Sequence, residues 1–495
     1  MKVYLLVFVC GLIFPLGFAP FNFWPSTIFS ISCLIYLLNF QDSRNSFTLG
    51  FVYGLGLWGV GISWLYVSIH YHGGIGSLSS FLITSLFVII LSLFSGTTTL
   101  LYKFLKTNKL YFDFIIVFPA IWLSIEILRS NIFTGFPWLI IGDSLSGTFI
   151  GGWIPILGTY GGSLTALIIA GILLLLLKNK NYYYPSLLLI ILISSFTLNN
   201  INWTKELITI NVSIQQPNLT LKEKWSSEGV YQTMDLFQRS VSNALPGEFI
   251  FFPETALILN EDSMEPWISD LDQQAKLKDL SLITGIVAHN YINEFKNNKS
   301  FNRIKGYGRA EGFYDKVQLV PFGEYIPLRS YLGKFLDILG VNMTDTSPGS
   351  RFQPLKANNL IISPNICYEV AFNELVRKTA KDSNLLVSIT NDTWFGSSIG
   401  PYQHLEIAQT RALEHQKPLI RATNSGISAI INKNGKIIER QGFFEEKELK
   451  SRIQVYEGRT PFSIVGNNII YIYVIVILMY LLYKKRTNVL KNNEF

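Results

Sequence analysis

Cysteine is scarce in this chain: Cys10, Cys33 and Cys367 are the three among 495 residues. Cys10 and Cys33 lie inside apolar runs, where free cysteine packs as a small hydrophobe. The polar remainder holds Cys367 alone, which excludes a disulfide framework and a cysteine-rich metal site. His70, His72, His289, His404 and His415 are the histidines, and none shows zinc-site spacing, so no metal or cofactor is expected. Charge is scarce too, at 15% of residues, against about 25% in soluble domains. Apolar residues make up 49% and mean hydropathy is +0.30. Those values belong to a membrane protein. A net charge of +7 raises the idea of a nucleic-acid surface. However, many of the positive residues sit in short loops beside apolar runs, which is the pattern of membrane topology. No nucleic-acid partner is expected, and there is no internal repeat or low-complexity segment.

The chain divides into residues 1–200, a mixed-composition region over 203–465, and a last apolar segment with a basic tail over 467–495. A membrane-crossing helix needs about 20 apolar residues. Seven candidates lie near 3–19, 24–40, 47–67, 78–102, 111–128, 154–177 and a short 185–199, and the eighth is Asn468 to Tyr483. No small-residue cleavage site follows the first, so it reads as a retained helix rather than a signal peptide. Taken alternately, one set of loops holds Lys2, Arg44, Lys103, Lys106, Lys109, Lys178, Lys180 and the tail Lys484, Lys485, Arg486 and Lys491, while the other set of short loops holds Arg129. Positive charge favours the cytoplasmic side. Both termini are therefore expected in the cytoplasm, with eight spans and the region between spans seven and eight on the outer face, periplasmic in a bacterium.

That region reads as an α/β domain. Strand candidates rich in β-branched residues are Leu207 to Gln215, Phe249 to Pro253, Ser281 to Ala288, Asn359 to Cys367 and Asn384 to Thr390. Ile427 to Asn432 and Lys436 to Glu439 flank the hairpin turn Lys433-Asn434-Gly435. Helical stretches include Ser227 to Asn243 and Gln403 to Leu413.

Three polar residues stand at unusual places. Glu254 follows an apolar strand and a proline, at the strand's C-terminal end, where sites collect in open α/β sheets. A helix cap or surface ion pair is the bland alternative. Lys316 lies in an apolar, aromatic loop stiffened by two prolines, Pro321 and Pro327, so it is expected to be partly desolvated and paired. Solvated lysine is the usual fate. Cys367 follows the run Leu360 to Ile362 at a strand-to-helix bend, where following N–H groups can bind an anion. By itself it reads more readily as a buried core residue. Together the three make chemical sense. Thiolate is the reactive form, an ammonium favours it and can bind an oxyanion, and a carboxylate can take and return the proton.

Glu254, Lys316 and Cys367, in that order, resemble the Glu-Lys-Cys triad of the nitrilase superfamily. The wider motifs are similar to those of the bacterial apolipoprotein N-acyltransferase family: Phe-Ala-Pro-Phe-Asn-Phe-Trp-Pro (18–25), Pro-Glu-Thr-Ala (253–256), Tyr-Asp-Lys-Val-Gln-Leu-Val-Pro-Phe-Gly-Glu-Tyr-Ile-Pro (314–327), Cys-Tyr-Glu (367–369), Asn-Asp-Thr-Trp-Phe-Gly (391–396), Arg-Ala-Leu-Glu (411–414) and Arg-Ala-Thr-Asn-Ser-Gly (421–426). The resemblance covers essentially the whole chain. It implies an eight-helix membrane domain with an extracytoplasmic nitrilase-like αββα sandwich. It implies that Cys367 takes an acyl chain from a phospholipid, by family habit the sn-1 chain of phosphatidylethanolamine, as a thioester. The chain then passes to the α-amino group of a lipoprotein's N-terminal diacylglyceryl-cysteine. Glu254 would be base and acid, and Lys316 with the Tyr368 N–H would hold the oxyanion. Glu324 would support the triad, Tyr368 and Glu369 would flank the nucleophile, and Trp225 would ride a mobile arm over the cleft. A monomer in the bacterial inner membrane is expected.

The rival from the same superfamily is a membrane-tethered amidase acting on a small amide. Eight spans make little sense for a small soluble substrate. A transporter would need charged or broken helices at mid-membrane, and an intact triad speaks against a scaffold. Tyr331 to Met343 is an apolar stretch that reads equally as a core helix or as a lipid-facing element. Trp394 reads as a packing residue or as part of an acyl channel. Glu126 and Arg129 are three apart and read as a pair.

Overall fold

A computed structural model of the chain describes residues 2–39, 43–178, 181–259, 261–291, 298–327, 329 and 345–493. The apolar stretch Tyr331 to Met343 lies outside the described residues, as does Lys180. Two compact units emerge. One comprises Met1–Asn202, Trp394–Thr410 and Ile464–Phe495, and the other comprises Trp203–Thr393 and Arg411–Ser463.

The first unit is helical. Among the described residues, four helices are long and apolar enough to cross a membrane: Ser77–Leu105, Leu110–Asn131, Phe149–Lys178 and Asn468–Thr487. The pair Asn45–Gly61 and Trp64–His72 makes up to five if a chain bent by 52° counts as one span. Three shorter apolar helices are Lys2–Gly17, Pro25–Leu38 and Tyr183–Asn199. Phe81, Leu82 and Leu86 point away from the protein along Ser77–Leu105, as do Ile472, Ile475 and Met479 along the last helix. Large apolar side chains turned outward on so long a helix suit a hydrocarbon solvent, since in water each would forgo about 1.5–3 kcal/mol of burial.

The second unit is built on thirteen strands among the described residues: β1 (Thr204–Gln216), β2 (Phe249–Phe251), β3 (Ser281–Tyr291), β4 (Asn298–Gly308), β5 (Ala310–Glu311), β6 (Phe313–Asp315), β7 (Leu355–Ala357), β8 (Leu360–Ile366), β9 (Leu385–Thr390), β10 (Leu419–Thr423), β11 (Ala429–Ile431), β12 (Ile437–Arg440) and β13 (Lys447–Gly458). They form a six-stranded sheet in the order β13-β1-β2-β3-β4-β6 and a seven-stranded sheet in the order β12-β11-β10-β9-β8-β7-β5. Within the sheets β1, β2 and β3 run parallel, and so do β8, β9 and β10.

Strand alternation explains the layering. Successive side chains point to opposite faces. On β2, Phe249 and Phe251 join Val212, Ile214 and Ile283 in a core shared with Ile362, Ile366, Val387, Ile389 and Ile420 of the other sheet. The alternate residues Ile250 and Phe252 turn outward, onto Phe237 and Val241 of helix Ser227–Asn243 and Ile268 and Leu271 of helix Glu265–Leu277. Helix Asn373–Ala380 is fastened behind β8 by the hydrogen bond between Ser363 and Thr379 at 2.7 Å. The result is two sheets face to face with helices on their outer sides.

Candidate active site

The six polar residues singled out for the reaction and its support, Glu254, Lys316, Glu324, Cys367, Tyr368 and Glu369, all belong to the α/β unit. Lys316 follows the last residue of β6 and Cys367 the last residue of β8, while Glu254 comes after Phe252 and Pro253 beyond β2. These strand ends deliver the three side chains from both sheets.

Glu254 is buried. One carboxylate oxygen, Oε2, accepts the Asn391 N–H at 2.8 Å. The other, Oε1, accepts from Asn302 Nδ2 at 2.7 Å and from Lys316 Nζ at 3.5 Å. The backbone here is strained: Thr255, a β-branched residue, has φ +45°. Gly285 lies against this turn, where a Cβ would come within 2.4 Å of the Thr255 nitrogen, so no larger residue fits.

Lys316 is buried as the sequence context implied, with a relative exposure of 1%. Its Nζ donates to Glu324 Oε1 at 2.9 Å and approaches Oε2 at 2.8 Å. Burial pulls its pKa down, but the carboxylates of Glu324 and Glu254 outweigh burial and raise it, so the lysine stays an ammonium. Glu324 is held by the Val320 N–H at 2.8 Å and by Asn302 Nδ2 at 3.2 Å. Asn302, on β4, thus donates to both carboxylates that flank the ammonium.

Cys367 is half-buried and has φ +54°, a left-handed conformation that costs a non-glycine residue about 1–3 kcal/mol. The chain turns there from β8 into the short helical turn Cys367–Ala371. Burial is the largest influence on the thiol, and with the Glu254 carboxylate it pushes the pKa up to about 12 against the opposing pull of Lys316. A neighbouring ammonium is expected to favour the thiolate. Its pull has that sign, yet burial and the carboxylate exceed it, and the resting sulfur keeps its proton. A base must then remove that proton as the sulfur reacts.

Glu369 is fully buried. Its Oε1 accepts from Tyr314 Oη at 2.8 Å, Val317 N at 2.7 Å and Gln318 N at 3.1 Å, and its Oε2 accepts from Ile366 N at 2.9 Å. Burial lifts its pKa to about 7 against the pull of those N–H groups. One carboxylate thereby joins the lysine loop to the cysteine turn. Tyr368 packs edge-on against Phe372, ring centres 5.0 Å apart.

Trp225 is exposed at the end of helix Leu221–Lys224. Trp394 belongs to the helical unit, where its ring lies 6.2 Å from that of His72. Arg129 donates to the Trp138 carbonyl at 2.9 Å and also to the Phe136 carbonyl, so it holds the 132–138 loop.

Four residues that sequence reasoning passed over take part. Asn302 is one. Lys224, next to Trp225, is buried and donates to the Glu254 carbonyl at 2.9 Å and to Thr255 Oγ1 at 2.8 Å. Burial brings its pKa down to about 8, although Glu254 opposes the shift. Asp392 and Arg421 form a fully buried ion pair of 2.6 Å. The motif pair 391–396 and 421–426 carried that signal, one with an acid and the other with a base.

This arrangement of buried carboxylate, ammonium and thiol defines a class of protein. The carbon-nitrogen hydrolase family model matches residues 211–460. The model of the apolipoprotein N-acyltransferase N-terminal domain matches residues 10–172. Apolipoprotein N-acyltransferase of Photobacterium profundum is 33% identical over 95% of this chain and 92% of its own length. That of Haemophilus influenzae is 32% identical over 94% and 92%, and that of Wigglesworthia glossinidia brevipalpis 34% over 91% and 92%. The chain belongs to the apolipoprotein N-acyltransferase family.

Proposed function

We propose that this protein transfers a fatty acyl chain from a membrane phospholipid, through a thioester on Cys367, to the α-amino group of the N-terminal diacylglyceryl-cysteine of lipoproteins. What carries the reading is the full-length likeness to enzymes named for that reaction, joined to a buried Glu254–Lys316–Glu324 cluster at 3.5 and 2.8 Å. The full-length relatives and the N-terminal domain model favour it over the small-amide amidase.

In the first half-reaction Glu254 takes the Cys367 proton while the sulfur attacks the ester carbonyl of the phospholipid. Lys316 and the Tyr368 N–H hold the resulting oxyanion. Collapse breaks the ester C–O bond, and Glu254 returns the proton to the departing lysophospholipid. In the second half the lipoprotein amine attacks the thioester, Glu254 accepts the amine proton, and the thiolate leaves and is reprotonated. This is a ping-pong cycle. Glu324 and Glu369 orient the lysine and the cysteine turn, and Trp225 and Trp394 contact lipid. Phosphatidylethanolamine is the proposed donor.

The catalytic domain, residues 203–465, is placed in the periplasm and the protein in the bacterial inner membrane as a monomer. Eight spans are proposed by counting the three shorter apolar helices and the bent pair with the four long helices. Loop charges then put both termini in the cytoplasm. Incubation of the purified protein with phosphatidylethanolamine vesicles should give a fatty-acyl adduct on the Cys367 peptide by mass spectrometry. That adduct should be discharged by a diacylglyceryl-cysteine peptide. A Cys367 peptide that stays unmodified, or an adduct that only water removes, would overturn the reading.

A further inference from the structure

The parallel strands β8 and β9 pair Ile366 with Ile389. Cys367, the residue after β8, and Thr390, the last residue of β9, therefore come together at the strand ends, where the Thr390 hydroxyl draws the thiol pKa down against the larger effect of burial. The same hydroxyl lies 3.1 Å from Asp392 Oδ1. Asp392 Oδ2 in turn pairs with Arg421 Nη2 at 2.6 Å, on β10, both side chains fully buried. Gly426 closes this corner, since a Cβ there would meet the Asp392 side chain at 2.5 Å. A chain of side chains thus runs from the sulfur through Thr390 and Asp392 to Arg421.

A hydroxyl has one proton to donate and two lone pairs to accept with. Thr390 cannot donate to the Asp392 carboxylate and to a sulfur anion at once. While Cys367 keeps its proton, the S–H donates to the Thr390 oxygen and the Thr390 proton lies on Asp392. Once Glu254 has taken the thiol proton, the sulfur has no hydrogen left to give and needs a donor. The hydroxyl can then turn, because Arg421 continues to neutralise the carboxylate it leaves.

We propose that Thr390 is a positioning residue for the nucleophile, its hydroxyl accepting from the Cys367 thiol at rest and donating to the thiolate as the reaction begins. The other charged groups acting on this sulfur are Glu254, Lys316 and Asp392. Glu369, on the same turn, has its oxygens taken by Tyr314, Val317, Gln318 and Ile366. Of these, only Asp392 is affected by the turn of the hydroxyl, losing the Thr390 hydrogen bond while keeping its ion pair with Arg421. The role in acyl transfer rests on the function proposed above, whereas the effect on the sulfur is measurable without lipid.

The test is alkylation of full-length protein in detergent by iodoacetamide, read on the Cys367 peptide by mass spectrometry. Between about pH 7 and about pH 10 the rate should rise about tenfold per pH unit, because the reactive thiolate is a minor species. Thr390→Val keeps the shape and removes the hydroxyl. Its line should lie about tenfold lower at every pH, the effect of losing one hydrogen bond to a charged group. Thr390→Ser should restore the native line to within about twofold, which a role in packing would not do. Should Thr390→Val fail to fold, Thr390→Ala carries the same expectation. Hydroxyl-free variants that fall on the native line overturn the proposal. A displaced line in a protein that takes no acyl chain from phospholipid would uphold Thr390 and sink the acyl-transfer reading. An acyl adduct with an undisplaced line would do the reverse.

Discussion

The Glu369 carboxylate accepts the Val317 N–H at 2.7 Å, one residue beyond Lys316. Its second oxygen takes the Ile366 N–H at 2.9 Å, one residue before Cys367. One buried side chain therefore ties the backbone beside Lys316 to the backbone beside Cys367. Glu369→Ala would leave three backbone N–H groups without their acceptor, at about 1–3 kcal/mol each. Glu369→Gln can keep an oxygen toward Val317, Gln318 and Tyr314, but turns its NH2 onto the Ile366 N–H. Thermal unfolding in detergent should show the alanine variant destabilised by at least about 3 kcal/mol and the glutamine variant by about 1–3 kcal/mol. Both should acylate slowly. A glutamine variant as active as the native enzyme would reduce Glu369 to a packing residue.

Lys316 carries a second prediction. Its ammonium lies between Glu254 and Glu324, which also share Asn302 Nδ2. Lys316→Met leaves the buried Glu254 carboxylate and the partly exposed Glu324 carboxylate without the cation between them, and breaking such a group costs about 3–5 kcal/mol. Lys316→Met combined with Glu324→Gln should recover most of the stability and none of the acyl-enzyme. Equal loss for the single and double variants would show that the carboxylates do not oppose each other there.

The third concerns Cys367, whose φ of +54° is strained for any residue with a Cβ. Cys367→Gly removes that strain and Cys367→Ala keeps it. The glycine variant should be about 1 kcal/mol more stable than the alanine variant, and neither should form an acyl adduct. Chemical denaturation of the two variants side by side measures the difference. Equal stability would mean that the turn is relaxed without the sulfur.

The α/β character of the domain and the strand-end placement of Glu254 and Cys367 were legible because the strands before them are apolar runs ending at an isolated polar residue. β2 before Glu254 and β8 before Cys367 are of that kind. β4 and β13 escaped notice, since Asn298–Gly308 and Lys447–Gly458 mix lysine, arginine, asparagine and glutamate with apolar residues. Each gains its strand character from pairing, β4 with β3 and β13 with β1. Asn302 was hidden for that reason. Lys224 was hidden for another: in Leu221–Lys224 a lysine among polar neighbours reads as solvated, and only the fold brings it to the Glu254 carbonyl. Thr390 could not be read at all until the β8–β9 register was known.

Lys224 gives the last prediction, one of pH. Burial lowers its pKa from 10.5 to about 8. Below about pH 8 the lysine is charged in both folded and unfolded chains. Between about 8 and 10.5 the unfolded chain binds a proton that the folded one does not. Stability must then rise with pH across that window. One pKa unit is worth about 1.4 kcal/mol, so the gain from this residue is at most about 3.5 kcal/mol. Lys417, also brought down to about 8 by burial, acts in the same direction. Lys224→Met should lower stability at neutral pH by removing the hydrogen bonds to Glu254 and Thr255, and should roughly halve the rise between about pH 8 and about pH 10. With Lys417→Met added, the contribution of these two lysines to the rise should vanish. Denaturation midpoints of the native protein and the two variants across that range decide it. A native protein whose stability is level or falling from pH 8 to pH 10, with the Lys224→Met variant parallel to it, would place Lys224 in solvent rather than behind Glu254.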